Sequence, residues 1–344
     1  MPRALVLGGT GLVGRAVAGR LLATGWEVDL TGRNAANMPA DVAAAGGRFL
    51  PADRHDSEQL VSALGSGADL LVDCICFTAA DAEGLLPLLP EARSTVMISS
   101  KAVYVDGAGR HSNSRTAPFF EGPISEAQPT MAPGNGDYNS PEGYGANKVA
   151  AEHVLLDSGQ PVTVIRPSKI HGEGARPPRE WVFVKRVLDR RPAVFLARRG
   201  VGVDHPTAAA NIAALIETAA TRPGQRILNC ADPDAPSGLE ISRTIARRLG
   251  HVWDEVLLDE GTDERLGRHP WDAPHPIVLD TSAAVDLGYT PVGDYAATVA
   301  DELEWLVSVA EGGDQAALDD PYFESMFDYE AEDRYLERRA VGNR

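Results

Sequence analysis

Cysteine, positive charge and long apolar runs are all scarce in this chain, and each shortage argues against a class of protein or binding site. Only three cysteines occur, Cys74, Cys76 and Cys230, and each lies in an apolar segment without the spacing of metal ligands. We therefore predict three buried, reduced thiols instead of a disulfide framework or a metal site. No run of about 18 apolar residues is present, so no transmembrane helix is expected. The chain begins directly in a strand-like segment, so no signal peptide is expected.

The shortage of positive charge indicates which partners the protein does not bind. Lysine and arginine number 32 against 49 aspartate and glutamate residues, which gives a formal net charge of −17. Nucleic acids and anionic membranes are bound through concentrated Lys and Arg, so the charge balance argues against both. With 344 residues, 44% of them apolar, the chain can bury a large core in one or two domains. These totals predict a cytoplasmic enzyme with a small-molecule substrate, and they leave a homodimer open.

Glycine, in contrast, is concentrated near the N-terminus, directly after the apolar residues 4–7. Gly8, Gly11 and Gly14 recur every third residue, and a segment with helical apolar spacing follows. Such glycines permit the turn off a strand, the close approach of backbone to a pyrophosphate, and packing of helix on strand. The free N–H groups that begin the helix form an anion site. We therefore predict that a dinucleotide binds here. The predicted contacts are Gly8, Thr10, Gly11, Leu12, Val13 and Gly14.

The end of the second predicted strand, residues 27–30, is where nicotinamide-binding folds distinguish their cofactors. An acid there binds the ribose 2′-hydroxyl of NAD, whereas an arginine pairs with the 2′-phosphate of NADP. Arg33 occupies this place with no acid beside it, and Arg15 could add a second positive charge. We predict NADP in preference to NAD. The alternative is that both arginines are solvated surface residues.

Short apolar strands alternate with helical stretches through most of the chain. Strands are predicted at 47–51, 68–77, 94–100, 161–167, 192–197 and 226–230, and helices at 57–64, 144–156, 181–188, 206–220, 239–249 and 295–310. Near-continuous apolar strands separated by helices indicate a doubly wound parallel α/β sheet that is covered on both faces. Residues 106–143 are rich in Gly, Pro, Ser and Asn and lack periodicity, which at this length is typical of a functional loop.

Three residues on two of these elements carry catalytic chemistry. Tyr144 and Lys148 are four residues apart on one predicted helix and share a face. Ser100 ends a central strand, where open α/β sheets bind ligands. A tyrosine hydroxyl is a poor base at neutral pH, but a nearby ammonium and an oxidised nicotinamide lower its pKa. We therefore predict Ser100, Tyr144 and Lys148 as the catalytic group, with Ser100 holding the substrate oxygen while Tyr144 moves its proton.

On these motifs the chain resembles the short-chain dehydrogenase/reductase superfamily, in its extended, NAD-dependent epimerase/dehydratase-like branch. The matching segments are GGTGLVG at 8–14, SSKAVY at 99–104, ISE at 124–126, YGANK at 144–148 and RPSKIHG at 166–172. The resemblance implies a Rossmann-type domain and a smaller C-terminal substrate-binding domain. The first would span 1–168 with about 201–232, the second 169–200 and 233–310, and an acidic tail 311–344. The resemblance also implies that Lys148 contacts the nicotinamide ribose and Asp53 the adenine.

Departures from the family pattern concern the substrate end. Family dehydratases tend to place Asp-Glu after the hydroxyl residue, whereas Lys101 and Ala102 follow Ser100 here, so no acid is placed there to protonate a leaving hydroxyl. Lys169 stands where the family often has a substrate-binding Asn, and we predict that it binds an anionic or strongly polar group of the substrate. The alternative is that Lys169 pairs with an acid such as Glu173. Lys101 is expected at the surface or in a loop, because side chains alternate across a strand end.

The sequence thus predicts an NADP-dependent oxidoreductase or epimerase that acts on a hydroxyl or keto group of a sugar or secondary metabolite. A second hypothesis is a cofactor-sensing or RNA-binding relative without turnover. Such relatives commonly lose the tyrosine or the lysine, and both Tyr144 and Lys148 are present here. A reductase and an epimerase need the same three residues, so the sequence leaves these two open.

Overall fold

A computed structural model describes residues 1–262, 265–313 and 318–342 of the chain. Its strands are β1 (Arg3–Leu7), β2 (Glu27–Gly32), β3 (Arg48–Pro51), β4 (Leu70–Asp73), β5 (Thr95–Ile98), β6 (Val162–Pro167), β7 (Lys169–His171), β8 (Ala193–Leu196), β9 (Pro206–Ala208), β10 (Arg226–Cys230) and β11 (Asp254–Leu257). Its helices are α1 (Leu12–Ala23), α2 (Ala40–Ala44), α3 (Ser57–Leu64), α4 (Ala79–Leu85), α5 (Pro141–Leu156), α6 (Trp181–Leu188), α7 (Ala209–Thr221), α8 (Gly238–Arg248), α9 (Ser282–Asp286), α10 (Tyr295–Thr298), α11 (Ala300–Glu311) and α12 (Tyr329–Gly342). Within these ranges no helix combines the length and apolarity that crossing a membrane requires.

Seven parallel strands form the central sheet, in the order β3-β2-β1-β4-β5-β6-β10. The order reverses between β1 and β4, and sheets of this kind bind ligands beyond the carboxyl ends of the strands at that point. Helices α1 and α7 cover one face of the sheet with an apolar cluster, and α3, α4 and α5 cover the other. The predicted doubly wound, Rossmann-type α/β fold is therefore confirmed.

A smaller C-terminal unit has its own apolar cluster outside the sheet. Helices α6, α8, α10 and α11 contribute to it around the buried Trp271. Two short parallel pairs, β7–β9 and β8–β11, accompany these helices. Helix α12 joins this unit through Glu332, which lies 2.7 Å from Arg186, and both side chains are only 2% exposed. The smaller C-terminal unit that the sequence predicted is present, and its role in substrate binding is still a prediction.

Some predicted elements have other bounds in the structure, and the predicted helix at 295–310 is two helices, α10 and α11. Strand β4 ends at Asp73 instead of residue 77, because the Asp73 carboxylate accepts a hydrogen bond from the Ile75 N–H at 2.9 Å and turns the chain out of the sheet. The predicted helix at 206–220 starts only at Ala209, because residues 206–208 pair with β7 as strand β9. The cysteines are unpaired thiols, with Cys76 and Cys230 buried and Cys74 partly so, as predicted.

Candidate active site

The three glycines after β1 each meet a different requirement. Gly8 has a φ of +72°, a left-handed conformation that favours glycine at this turn. A Cβ at Gly14 would lie 2.5 Å from the Gly8 carbonyl oxygen and from Gly9 Cα, so glycine lets α1 pack against the loop. A Cβ at Gly11 would meet only the Gly8 oxygen, at the ordinary contact distance of 3.5 Å. The fold therefore tolerates a side chain at Gly11, and the space in front of it is open to a ligand.

Two cavities meet at this loop. The larger, of about 1080 Å³, is lined by residues of the loop together with Ser100 and Tyr144. The second, of about 940 Å³, is lined by Arg33 and Asp53. The residues that line both are Gly8, Thr10, Gly11, Asn37, Ile75 and Phe77. A dinucleotide with its pyrophosphate over Gly11 fits this arrangement, because its nicotinamide half can enter the larger cavity and its adenosine half the second.

Helix α5 holds Lys148 buried beside Phe77 and Tyr144, two residues that line the larger cavity. Lys148 is 2% exposed, and its Nζ donates hydrogen bonds to the carbonyl oxygens of Cys76 at 2.7 Å and Ile98 at 2.9 Å. The same Nζ lies 6.0 Å from the ring centre of Tyr144. The predicted pair thus shares one face of α5 with the ammonium beside the ring. The contact of Lys148 with a nicotinamide ribose stays a prediction.

Helix α5 is anchored one turn further on by Glu152. This carboxylate accepts a hydrogen bond from Ser99 Oγ and another from Arg166 Nε, the latter at 3.0 Å. Ser99 and Glu152 are 3% and 1% exposed, and a charge-assisted contact between such buried groups fixes geometry strongly. The network ties α5 to the residue that precedes Ser100, so it sets the position of Tyr144 relative to Ser100.

Ser100 follows β5 and is oriented by the turn that it begins. Its Oγ accepts a hydrogen bond at 3.1 Å from the N–H of Ala102, as the cap of a short 3₁₀ turn over Lys101–Val103. A serine hydroxyl that accepts such a bond keeps its own proton to donate. Ser100 is half-buried and lines the larger cavity with Tyr144. The site therefore offers a hydroxyl donor and a phenol to the same substrate oxygen.

The substrate end confirms an ion pair for Lys169, but with a different acid from the one expected. Lys169 Nζ lies 2.9 Å from Asp204 Oδ2 and donates a hydrogen bond to the carbonyl oxygen of Pro270 at 2.7 Å. Glu173, the acid named as an example in the alternative to substrate binding, instead pairs with Arg15 at 2.6 Å. Lys169 lines the larger cavity as predicted. Asp204 is separated from it by 35 residues, and strand pairing between β7 and β9 brings them together.

Lys101 was expected at the surface or in a loop: it does lie in the turn after β5, but it is not a surface residue. Its side chain is 9% exposed and its Nζ contacts Asp204 Oδ1. The alternation of side chains applies only while the strand continues, and the 3₁₀ turn capped by Ser100 redirects the chain at this residue. Lys101 and Asp204 are therefore residues of the candidate site that sequence reasoning did not assign.

The structure separates the two arginines proposed for cofactor choice. Arg15 pairs with Asp41 at 3.1 Å and with Glu173 at 2.6 Å. Both of these acids are partly exposed, and the suggestion that Arg15 adds a second positive charge at the cofactor stays a prediction. Arg33 is exposed, follows β2 directly and lines the second cavity with Asp53. Arg33 is placed to meet a 2′-phosphate, and this contact stays a prediction.

The long connection before α5 lines all of these spaces. Ser112 lines the larger cavity, and Tyr138 lines the second and stacks on Phe77 with ring centres 5.5 Å apart. Arg115 lines a third cavity of about 740 Å³. The third cavity shares Ser112, Lys169 and Asp204 with the larger one. This placement agrees with the functional loop that its length and composition predicted.

A buried acidic cluster lies behind β7. His171, Glu180 and Glu302 are at most 2% exposed, and a potential ligand atom of each lies within 4.8 Å of the others. His171 Nε2 is 2.8 Å from Asp232 Oδ2, and Glu302 Oε2 accepts a hydrogen bond from the Gly172 N–H at 2.7 Å. Burial, with the carboxyl of Glu180 beside it, raises the pKa of Glu302 well above its ordinary range. A proton held by Glu302 is sufficient to explain how the two carboxyls approach each other.

Glu302→Gln is therefore expected to change how stability depends on pH. Between the ordinary and the raised pKa, folded Glu302 holds a proton that the unfolded chain releases, so the free energy of unfolding falls as pH rises. For one proton the slope reaches about 1.4 kcal/mol per pH unit. The glutamine mimics the protonated acid and does not titrate. From pH 5 to 9, wild type should lose stability relative to Glu302→Gln in urea unfolding, whereas the exposed variant Glu304→Gln should follow wild type. Parallel curves for wild type and Glu302→Gln would show that Glu302 is ionised in the folded state.

Comparison with known proteins agrees with this architecture. The sequence profile of the NAD dependent epimerase/dehydratase family matches residues 4–196, more than half of the chain. No curated protein sequence matches significantly.

Solved structures with the same fold include two sugar-nucleotide enzymes in complex with NAD. The dTDP-glucose 4,6-dehydratase of Bacillus anthracis has a TM-score of 0.67 at 16% identity, over 90% of this chain and 98% of that one. The UDP-glucuronic acid 4-epimerase of Bacillus cereus, which also contains UDP-glucuronic acid, has a TM-score of 0.64 at 16% identity, over 89% and 99%. The chain therefore belongs to the NAD-dependent epimerase/dehydratase family, and it is an enzyme of the extended short-chain dehydrogenase/reductase type, as the sequence predicted.

Proposed function

We propose that the protein is an NADP-dependent epimerase or oxidoreductase that acts on a hydroxyl-bearing carbon of a nucleotide-linked sugar. One observation in particular supports this type of reaction. Ser100 and Tyr144 line the same cavity as the glycine loop, and the buried ammonium of Lys148 lies beside the tyrosine ring. A protein that only sensed its cofactor would need the loop but not these three groups.

Each of the three residues has a distinct role in the proposed reaction. The bound nicotinamide supplies the hydride acceptor or donor. Tyr144 takes the hydroxyl proton of the substrate as the carbonyl forms, and returns it in the reverse direction. The Lys148 ammonium favours the phenolate form of Tyr144 by charge proximity. Ser100 donates its hydroxyl proton in a hydrogen bond to the same oxygen, and so holds the substrate carbon in place.

The substrate class is supported by space and by the relatives. The third cavity adjoins the larger one at Lys169 and Asp204, so a substrate bigger than a single sugar ring has room. The dehydratase and the epimerase named above act on nucleotide-linked sugars according to their names. Dehydration is disfavoured for this chain, because Lys101 follows Ser100 where an acid would have to protonate the leaving hydroxyl.

A panel of nucleotide sugars tests this proposal. Purified protein is incubated with NADP or NAD and each sugar, nicotinamide reduction is followed at its ultraviolet band, and products are separated to detect isomers that form without net reduction. Turnover of at least one sugar is expected. Tight cofactor binding with no product from any member of a broad panel would favour the sensing alternative.

The preference for NADP is proposed to depend on Arg33. A guanidinium paired with the 2′-phosphate makes a charge-assisted contact of about 1.5–3 kcal/mol. Arg33→Ala should therefore weaken NADP binding about ten- to a hundredfold and leave NAD nearly unchanged, as measured by calorimetry. Arg93→Ala, at another exposed arginine, should change neither. Equal losses for NADP and NAD on replacing Arg33 would show that this residue does not bind the 2′-phosphate.

A further inference from the structure

Two lysines and one aspartate form a compact bridge in the wall of the larger cavity. Asp204 contacts Lys101 through Oδ1 and Lys169 through Oδ2. The three side chains are 9%, 15% and 12% exposed, for Lys101, Lys169 and Asp204 respectively. They come from three separate segments, namely the turn after Ser100, the start of β7, and the residue two positions before β9. All three line the cavity that also contains Ser100 and Tyr144.

The charges of this bridge do not balance. One carboxylate faces two ammonium groups that are largely removed from water, and a desolvated cation needs a full counter-charge. Burial, together with the charges of Lys169 and Arg179, lowers the pKa of Lys101 well below its ordinary range. Burial and Arg179 likewise lower the pKa of Lys169 to about 7. Burial thus disfavours the charged form of both lysines unless an anion lies beside them.

The rest of the cavity wall adds positive charge, although the chain as a whole carries −17. Among the side chains that line the cavity in the described parts of the chain, Arg15 and Glu173 pair with each other. Asp204 is then the remaining acid, and Arg176 and Arg179 are further cations. An acidic protein has thus concentrated cations where substrate enters. The cofactor pyrophosphate can offset charge at Gly11, but the bridge lies on the side of Ser100.

We propose that the sugar of the substrate carries a carboxylate, and that Lys101 and Lys169 bind it while Asp204 holds the two ammonium groups apart. This inference rests on the proposed function, and it specifies the substrate class of the same site. Lys101 is adjacent in sequence to Ser100, and consecutive Cα atoms lie about 3.8 Å apart. The anion that it binds therefore belongs to the reacting sugar, close to the oxygen held by Ser100. Lys169 completes a two-point contact that also orients the ring.

The test compares ligands that differ only in the carboxylate. Cofactor-loaded enzyme is titrated by calorimetry with UDP-glucuronic acid, UDP-glucose and UDP, and free glucuronate and glucose are compared by thermal shift. We expect UDP-glucuronic acid to bind at least about tenfold more tightly than UDP-glucose. UDP should bind no better than UDP-glucose, and free glucuronate should stabilise the enzyme more than glucose. Lys101→Met and Lys169→Met should each reduce the tenfold preference to about threefold or less, with cofactor affinity unchanged.

The matched control is Lys185→Met, since Lys185 pairs with Asp189 on α6 and does not line this cavity. It should retain the full preference. Equal binding of the two sugars by wild type, or a preference that survives both lysine variants, would overturn the inference. So would a UDP affinity equal to that of UDP-glucuronic acid, because the anion recognised would then be the diphosphate. Failure of the proposed function looks different: carboxylate preference would persist, but no nucleotide sugar would be turned over.

Discussion

Replacing Tyr144 by phenylalanine is expected to lower kcat about a thousandfold or more while cofactor affinity stays within about twofold. General acid–base catalysis by one positioned group contributes about 10²–10⁴ in rate. Phenylalanine keeps the ring that lies 6.0 Å from Lys148 Nζ and removes only the hydroxyl. Tyr144 is half-buried and lines an open cavity, so no packing is lost. Steady-state rates with the best sugar of the panel, and calorimetry with the cofactor, measure the two quantities separately.

The control for this variant is Tyr335→Phe, on α12, whose ring packs edge-on against Phe195 in the C-terminal unit. It removes the same atom far from the loop and should leave kcat unchanged. If Tyr144→Phe retains more than about a tenth of the wild-type rate, the proton is moved by another group, and the roles assigned to Ser100 and Lys148 have to be reassigned with it.

The parts of the site that the sequence predicted are those fixed by local chemistry. Gly8, Gly11 and Gly14 are recognisable because a left-handed turn at Gly8 and close packing at Gly14 exclude a side chain, and Gly11 leaves the space in front of the loop open, all within seven residues. Tyr144 and Lys148 share a helix face because their spacing alone decides it. Nearly continuous apolar strands that alternate with helices indicate a sheet buried on both faces. Each strand shows this in its own residues, so it can be predicted from sequence.

The parts that the sequence did not predict depend on distant contacts. Asp204 meets Lys101 across 103 positions of sequence, and the pairing of β7 with β9 brings it beside Lys169. Arg15 attracts attention because it follows the loop, but its ion pairs with Asp41 and Glu173, two acids from other segments, could not be read from the sequence. A charged residue next to a motif can be recognised from sequence, whereas its partner cannot. The signal that was available for Lys101 was the capping pattern of Ser100, since the strand ends at Ile98, two residues before its predicted end.

Gly11→Val is expected to abolish cofactor binding, with an affinity loss of at least about a hundredfold, while the chain still folds. The backbone at Gly11 is extended, with φ −84° and ψ 173°, so any residue can adopt it. A Cβ there meets only the Gly8 oxygen at 3.5 Å, and Gly11 is exposed to the cavity. The valine methyl groups must therefore occupy the space that a pyrophosphate needs above the first N–H groups of α1. Calorimetry with NADP and NAD measures the loss, and thermal unfolding measures the fold.

Two further glycines of the same segment separate this effect from damage to the helix. Gly19→Ala lies on α1, where a Cβ meets no other atom within 4 Å, so it should bind cofactor normally and be slightly more stable. Gly14→Val, in contrast, should destabilise the fold. Its Cβ would lie 2.5 Å from the backbone of Gly8 and Gly9, so the helix would have to move. Loss of binding at Gly11 with the melting temperature kept, beside loss of folding at Gly14, assigns the loop to the pyrophosphate. Normal binding by Gly11→Val would reduce the loop to a structural turn and remove the cofactor from the proposed reaction.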